Sequence, residues 1–331
     1  MAYQPAGNLT SSAGLAHYPA VYYEKKGLDI LEKKFVFRGV CTHDTVPKQV
    51  GRTVQWYRYI NFAANTTPTV EGTVGTSQAL TTRTLSATVS QYTSFITVSD
   101  FVLDTIIDPI LTNAASRLGY QAGLSVDTIT RNVIDAESAG TNQALQGTYF
   151  KVADLRVSRS SLQANDVQPF EGSQFMAIAH PFVTYDLVND PAAGGLADIF
   201  KYTAPNSQPL VKYEDRGTVT EVAGCKLIES TNVFQGTSGA NTTYRIYVFG
   251  KDGVGCVDLA GRGPSEVTDP KKQRFAINTY KSPGPSIPDP EGVIGGFVSY
   301  NFVFSTVVLD GPAQIGGVYR YRTLDAISSI G

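Results

Sequence analysis

Two stretches of the chain answer each other across a polar gap: residues 52–62, RTVQWYRYINF, and residues 84–98, TLSATVSQYTSFITV. In the first, Val54, Trp56, Arg58, Ile60 and Phe62 fall on one face, and Thr53, Gln55, Tyr57, Tyr59 and Asn61 on the other. In the second, Leu85, Ala87 and Val89 alternate with Ser86, Thr88 and Ser90. Between them TTPTVEGTVGTSQALT (66–81) has too few large apolar side chains to bury a core of its own. The pattern predicts a long antiparallel hairpin. Eleven strand residues reach about 36 Å, and a hairpin that protrudes so far either meets a partner chain or exposes a vulnerable edge. The alternative is a hairpin lying flat within one domain.

Outward from the hairpin, Asp108 and Pro109 form a helix start, since proline's missing N–H costs nothing at the first helical position. Ile110, Leu111, Ala114, Ala115 and Leu118, then Ile129, Val133 and Ile134, follow helical spacing. A helix over 109–136 spans about 42 Å, although Gly119 and Gly123 each weaken it by about 1 kcal/mol relative to Ala. A second helix is expected over 152–164. Residues 1–49 read as an extended arm, with a short helix around Gly27–Lys34. Beyond 174 the reading is strands at Phe175–Ala179, Val211–Val222 and Cys225–Glu229, a helix from Pro181 towards Leu187, and a short helix at Gly194–Phe200. A hairpin of Tyr244–Phe249 with Gly255–Leu259 around Gly250–Gly253 follows. Next come a Pro/Gly connector over 281–292 and a strand over 294–308, and a polar tail ends the chain.

Composition limits the function classes. Of 331 residues 42% are hydrophobic and only 17% charged, against about 25% charged in an average soluble protein. Uncharged polar residues fill the difference. Such a surface can be buried against a neighbour without stranding charges, and a Thr-rich β-protein explains the same numbers. The formal net charge is -2, and the scattered basic residues form no stripe for gripping a duplex. Cys41, Cys225 and Cys256 are few, odd in number and far apart, which fits a reducing compartment. The first residues, MAYQPAGNLT, do not resemble a signal peptide, and no apolar run approaches a membrane span.

A catalytic constellation is not expected. Cys41 and His43 lack a second pair at zinc-site spacing. His180 reads as a structural histidine, and His17 has no obvious partner. Gly250, Gly253 and Gly255 join strands and do not open a helix, so no helix N-terminus faces a phosphate. Asp186, Asp190 and Asp198 read as caps and turns. The expectation is a protein that is not an enzyme, with no cofactor and no metal.

At this point an ordered series of short motifs becomes informative. It opens with Pro47, Gly51 and Arg58, then Thr67-Pro68, Glu71-Gly72, Leu80-Thr81, Gln91-Tyr92 and Asp100. Asp108-Pro109, Leu118-Gly119, Gln121-Ala122, Asp127 and Thr130-Arg131 follow, then Ala153-Asp154-Leu155-Arg156 and Pro169-Phe170. Ala177-Ile178-Ala179-His180-Pro181, Tyr185-Asp186-Leu187, Glu229-Ser230-Thr231-Asn232, Phe249-Gly250-Lys251 and Asp269-Pro270 lead to the final aromatic strand. The series, over about residues 45–310, resembles the major capsid proteins of tailed bacteriophages of the N-four type, which adopt the Hong Kong 97 capsid fold.

The resemblance implies an α+β fold in five parts. An N-terminal arm (1–49) precedes an extended β-hairpin loop (50–98) that lies over a neighbouring subunit. A peripheral domain with a spine helix (99–174) and an axial domain (175–265) follow, and a connector with a return strand of the peripheral domain (266–331) closes the chain. It implies a virion protein, assembled in the bacterial host cytoplasm, whose hexamers and pentamers form an icosahedral shell around double-stranded DNA without reading its sequence. Scaffolding and portal proteins, and a cement protein, are the further partners it suggests. No lysine occurs between Lys48 and Lys151, so the loop cannot supply a lysine for a covalent cross-link and the shell is expected to be non-covalent. Arg52, Arg58, Glu71 and Arg83 are nearly the only charges in the loop and are expected to orient inter-subunit contacts. An encapsulin-like compartment shell and a phage tail or adhesion protein are the alternatives.

Overall fold

Strand-type alternation and helix-type spacing sort the chain into two sheets, a separate hairpin and one long helix, seen in a computed structural model. The structure describes residues 36–59, 62–105, 110–138, 142–170, 174–190, 212–213, 219–238, 241–260, 263, 278–281, 294–309 and 319–329. In chain order, β1 (Thr42–Val46), β2 (Thr53–Tyr59), β3 (Thr82–Thr88) and β4 (Ser90–Ser99) precede the short helix α1 (Asp100–Thr105) and the long helix α2 (Ile110–Glu137). Then come β5 (Asn142–Tyr149), α3 (Val152–Ala164), β6 (Phe175–Ala179) and α4 (Pro181–Val188). Six strands follow: β7 (Lys212–Tyr213), β8 (Val219–Val222), β9 (Cys225–Glu229), β10 (Gln235–Ser238), β11 (Asn241–Phe249) and β12 (Val254–Leu259). The last three are β13 (Asn278–Lys281), β14 (Ile294–Val308) and β15 (Tyr321–Ile327).

The helix α2 is unbroken over 28 residues, about 42 Å. Gly119 and Gly123 do not interrupt it; with Ala114, Ala115 and Ala122 they make a buried face of small residues. That face lets the helix axis approach the sheet under it, so the propensity cost is offset by packing. Its partner is β14, and Thr130 on the helix meets Thr306 on the strand at 3.3 Å between hydroxyls. Phe302 and Phe304 of β14, both fully buried, fill the layer between.

One sheet orders β1-β12-β14, with β4 along the other side of β14 and β13 also pairing β14. The second, of eight strands, orders β5-β15-β11-β6-β9-β8-β7, with β10 beside β11. Together with α2, the two sheets share one continuous apolar core.

Three expectations are corrected. The return arm of the hairpin is not a single strand over 84–98. It breaks at Val89, where β3 pairs with β2 and β4 leaves to join β14. Residues 244–249 and 255–259 form no hairpin: β11 lies between β15 and β6, whereas β12 lies between β1 and β14. The Gly250–Gly253 segment is therefore a crossing between sheets. A Cβ at Gly250 would collide with Val167, with the carbonyl oxygens of Arg320 and Gln168 also close, which explains the glycine by close approach. Third, the polar tail contains β15, whose Tyr321, Thr323, Leu324 and Ala326 are fully buried between β5 and β11 in the eight-stranded sheet.

The helix over 152–164 and the strands over 175–179, 225–229 and 294–308 fall where expected. Residues 42–46, placed in the arm, are an edge strand parallel to β12, and β5 was not anticipated. The short helices at 27–34 and 194–200, the caps Asp108 and Pro109, and connector residues 282–292 lie outside the described residues.

Candidate assembly interface

The side chains that could suggest catalysis have structural work. His180 caps α4: its Nδ1 accepts from the Phe182 amide at 3.2 Å, and its ring stacks on Tyr244 at 4.4 Å. Burial holds its pKa below the ordinary histidine value, keeping that nitrogen an acceptor. His43 is likewise lowered, by burial and then by the Arg38 charge. Asp186 accepts the Ser329 amide at 3.0 Å and so fastens the end of β15. Asp190 is buried, and Asp198 lies outside the described residues. Burial raises the Cys41 thiol well above its ordinary value and pushes Cys225 up to about 11, the opposite of an activated nucleophile. No group of three potential metal ligands occurs among the described residues, and no helix there is long and apolar enough to cross a membrane.

What stands out instead is the hairpin. β2 and β3 form a two-stranded sheet of their own, seven residues a side, about 23 Å long. Its base is held by the Val89 amide donating to the Arg52 carbonyl at 2.9 Å. One face, with Val54, Trp56, Ala87 and Val89, packs on Val46, Val257 and Val303 in a small second core. The other face, with Gln55, Tyr57, Ser86 and Thr88, is exposed. Every residue from 62 to 81 is exposed, Val74 to 99%. A turn at the tip closes with the Thr73 amide and hydroxyl on the Val70 carbonyl, and Gly72 there takes φ +84°.

The four expected contact residues separate along this hairpin. Arg52 is exposed at the base and Glu71 at the tip turn. The ladder brings Arg58 and Arg83 to directly opposed positions.

Two anchoring devices were not anticipated. Asp127 on α2 accepts the amides of Val36 at 3.0 Å and Phe37 at 2.8 Å, capping the 3-10 turn Arg38–Val40 from another element. Arg38 then forms a buried ion pair with Asp258 of β12. Burial pushes the Asp127 carboxyl up despite those amides. The root of the arm is thus fixed to both the helix and the first sheet. The second device joins α2 to the other sheet. Arg245 reaches Asp325 of β15 at 2.7 and 3.0 Å and Asp135 of α2 at 3.1 Å, and Tyr247 donates to Asp135 at 2.8 Å. Burial works against the Arg245 charge, but the two carboxylates hold its pKa above the ordinary value. A lone Asp or Arg inside a β-type alternation was the available signal for this network; for Asp127 there was none beyond its place in the motif series.

No family model and no curated protein matches the chain. Solved structures do. The capsid of cyanophage P-SCSP1u is 14% identical, with a TM-score of 0.60 over 89% of this chain and 88% of its own. The capsid of Ralstonia phage GP4 is 12% identical, with a TM-score of 0.64 over 88% and 87%. The SrpI encapsulin complex of Synechococcus elongatus PCC 7942 matches at 10% identity and a TM-score of 0.53, over 98% and 91%. At such identities the likeness establishes the fold: α+β, as in the shells of tailed phages.

Proposed function

We propose that this chain is the major capsid protein of a tailed bacteriophage, of the Hong Kong 97 type, and that its copies assemble into the hexamers and pentamers of an icosahedral shell. The observation that carries the reading is the hairpin: a separate two-stranded sheet with twenty exposed residues at its end, 62–81, built on a body with the fold of phage capsids. Such a projection has little to stabilise it in a lone subunit and makes sense against a neighbour.

In this reading the chain is a structural protein of the virion and not an enzyme. Arg52, Arg58, Glu71 and Arg83 orient the hairpin on the next copy, each contact weak at about 0–1 kcal/mol and decisive through repetition. The shell encloses double-stranded DNA by geometry, since the net charge of -2 supplies no general attraction to phosphate. Assembly takes place in the host cytoplasm with separate scaffolding and portal proteins and a cement protein, and the shell is non-covalent. The division into arm (1–49), loop (50–98), peripheral (99–174), axial (175–265) and return (266–331) segments belongs to the same proposal.

The encapsulin match favours a second reading, a bacterial compartment on the same fold. Sedimentation of the purified chain, alone and with candidate scaffold, separates these readings from others: rings or closed shells support a shell protein, and a fixed trimer or fibre overturns it. Packaged DNA against encapsulated enzyme then decides between phage and compartment.

A further inference from the structure

A cavity of about 520 Å³ opens where the end of β5, the last turn of α4 and the residues after β15 converge. It shares no residue with the hairpin or with either anchoring device. Phe150 lines it from the core and is fully buried, whereas Tyr149 and Tyr185 line it at 47% and 53% exposure. Fixed polar groups complete the wall. Asp186 is buried and held by Ser329, whose amide donates to it at 3.0 Å and whose hydroxyl donates as well. A carboxylate held in this way still has accepting capacity, since its two oxygens offer about four lone-pair sites. Asp190 is buried beside it, and Asn189 and Lys151 add exposed donors.

We propose that this cavity binds a neutral pyranose unit of a carbohydrate chain. The lining selects that class by what it disfavours. A wholly apolar ligand would strand the two carboxylates and the Lys151 ammonium. An anion would meet those carboxylates and the negative, C-terminal end of α4. A metal ion finds no set of three ligands among the described residues. A cation meets Lys151, and the Asp186 carboxylate already holds Ser329. What remains is an uncharged ligand with one apolar face and many hydroxyls. Its apolar face lies on the tyrosine rings, which carry a large apolar body and a polar tip. Its hydroxyls donate to Asp186 and Asp190 and accept from Asn189 and Lys151. The volume falls within the usual range for small-ligand sites, about 300–1,000 Å³. The inference does not require the shell reading, but in a shell the repeated copies turn a weak single site into avidity.

The test applies the purified full-length chain to an array of neutral hexose, N-acetylhexosamine and sialylated oligosaccharides. The affinity for the best-retained neutral glycan is then measured by calorimetry. The expected result is retention on neutral glycans and not on sialylated ones. Tyr185→Ala and Asn189→Ala, both at exposed positions, should each weaken binding roughly tenfold with an unchanged circular dichroism spectrum. Val157→Ala, exposed on α3 and outside the cavity, should leave the affinity as it is. No retention on any neutral glycan, retention on sialylated glycans alone, or binding that neither cavity variant weakens overturns the proposal. A chain that forms shells and binds no glycan loses the carbohydrate site and keeps the shell reading. One that binds glycan through these residues and never assembles does the reverse.

Discussion

The β2–β3 hairpin and the body formed by α2 with β14 differ in what holds them. The body is a 28-residue helix whose small-residue face lies on a 15-residue strand, with Phe302 and Phe304 sealed between them. The hairpin rests on a handful of valines and Trp56, and its far end, residues 62–81, is exposed throughout. Residues in the body are selected for the subunit's stability. Those in the hairpin have little stability to contribute, and under the proposed shell function they are selected for what they meet on another copy.

The largest effect that could break this comparison belongs to the body. Removing the Arg245 guanidinium with Arg245→Ala leaves Asp325 without its partner and Asp135 with Arg131 alone in a part-buried site, and should cost about 3 kcal/mol, the low end for a broken buried pair. Phe304→Ala should cost a similar amount, about 3–5 kcal/mol, through the cavity left behind. Urea denaturation of the two variants reads both values, and losses below 1 kcal/mol would remove the distinction between the regions.

At the hairpin the expectation reverses. Arg58→Glu should leave the denaturation midpoint of the subunit within about 0.5 kcal/mol of the parent while lowering particle yield by an order of magnitude or more. Normal particles from that variant would mean that the charge does not orient a contact. Replacing residues 64–79 by a two-residue turn should act in the same way, with a folded subunit and no shells.

The smallest effect concerns the arm root. Burial raises the Asp127 carboxyl in the folded state above its ordinary value of 3.8, so between the ordinary and the raised value the folded chain holds more protons than the unfolded one. Stability contributed by this group is therefore greatest at low pH and declines as pH rises through the folded value. Asp127→Asn should flatten that part of the stability–pH curve, measured by thermal unfolding between pH 3 and 6; an unchanged slope would assign the dependence elsewhere.

The sequence made elements with strong local periodicity legible, and the structure shows why others were hidden. α3, β6, β9 and β14 carry dense apolar patterns and fall where expected. β15 reads YRTLDAI, and its Arg322 and Asp325 look like surface residues until Arg245 is found opposite Asp325. β5, with NQALQGTY, has only Leu145 and Tyr149 as large apolar residues, without alternation, and β1, with THDTV, is an exposed edge. The β11–β12 segment looked like a hairpin because its turn is local, whereas the sheets its two strands join are set by β15 and β14, far along the chain. The hairpin was readable because alternation and a Gly/Thr tip are local signals. Its break at Val89 was not, because β4 leaves for a strand near residue 300.

The most direct measurement is cryo-electron microscopy of particles formed by the full-length chain. The account predicts closed shells of hexamers and pentamers in which residues 53–88 of each copy lie across its neighbour, with Arg58 and Arg83 at the contact. Well-ordered assemblies in which that hairpin folds back on its own subunit, or a species that is only fibre or trimer, would contradict it.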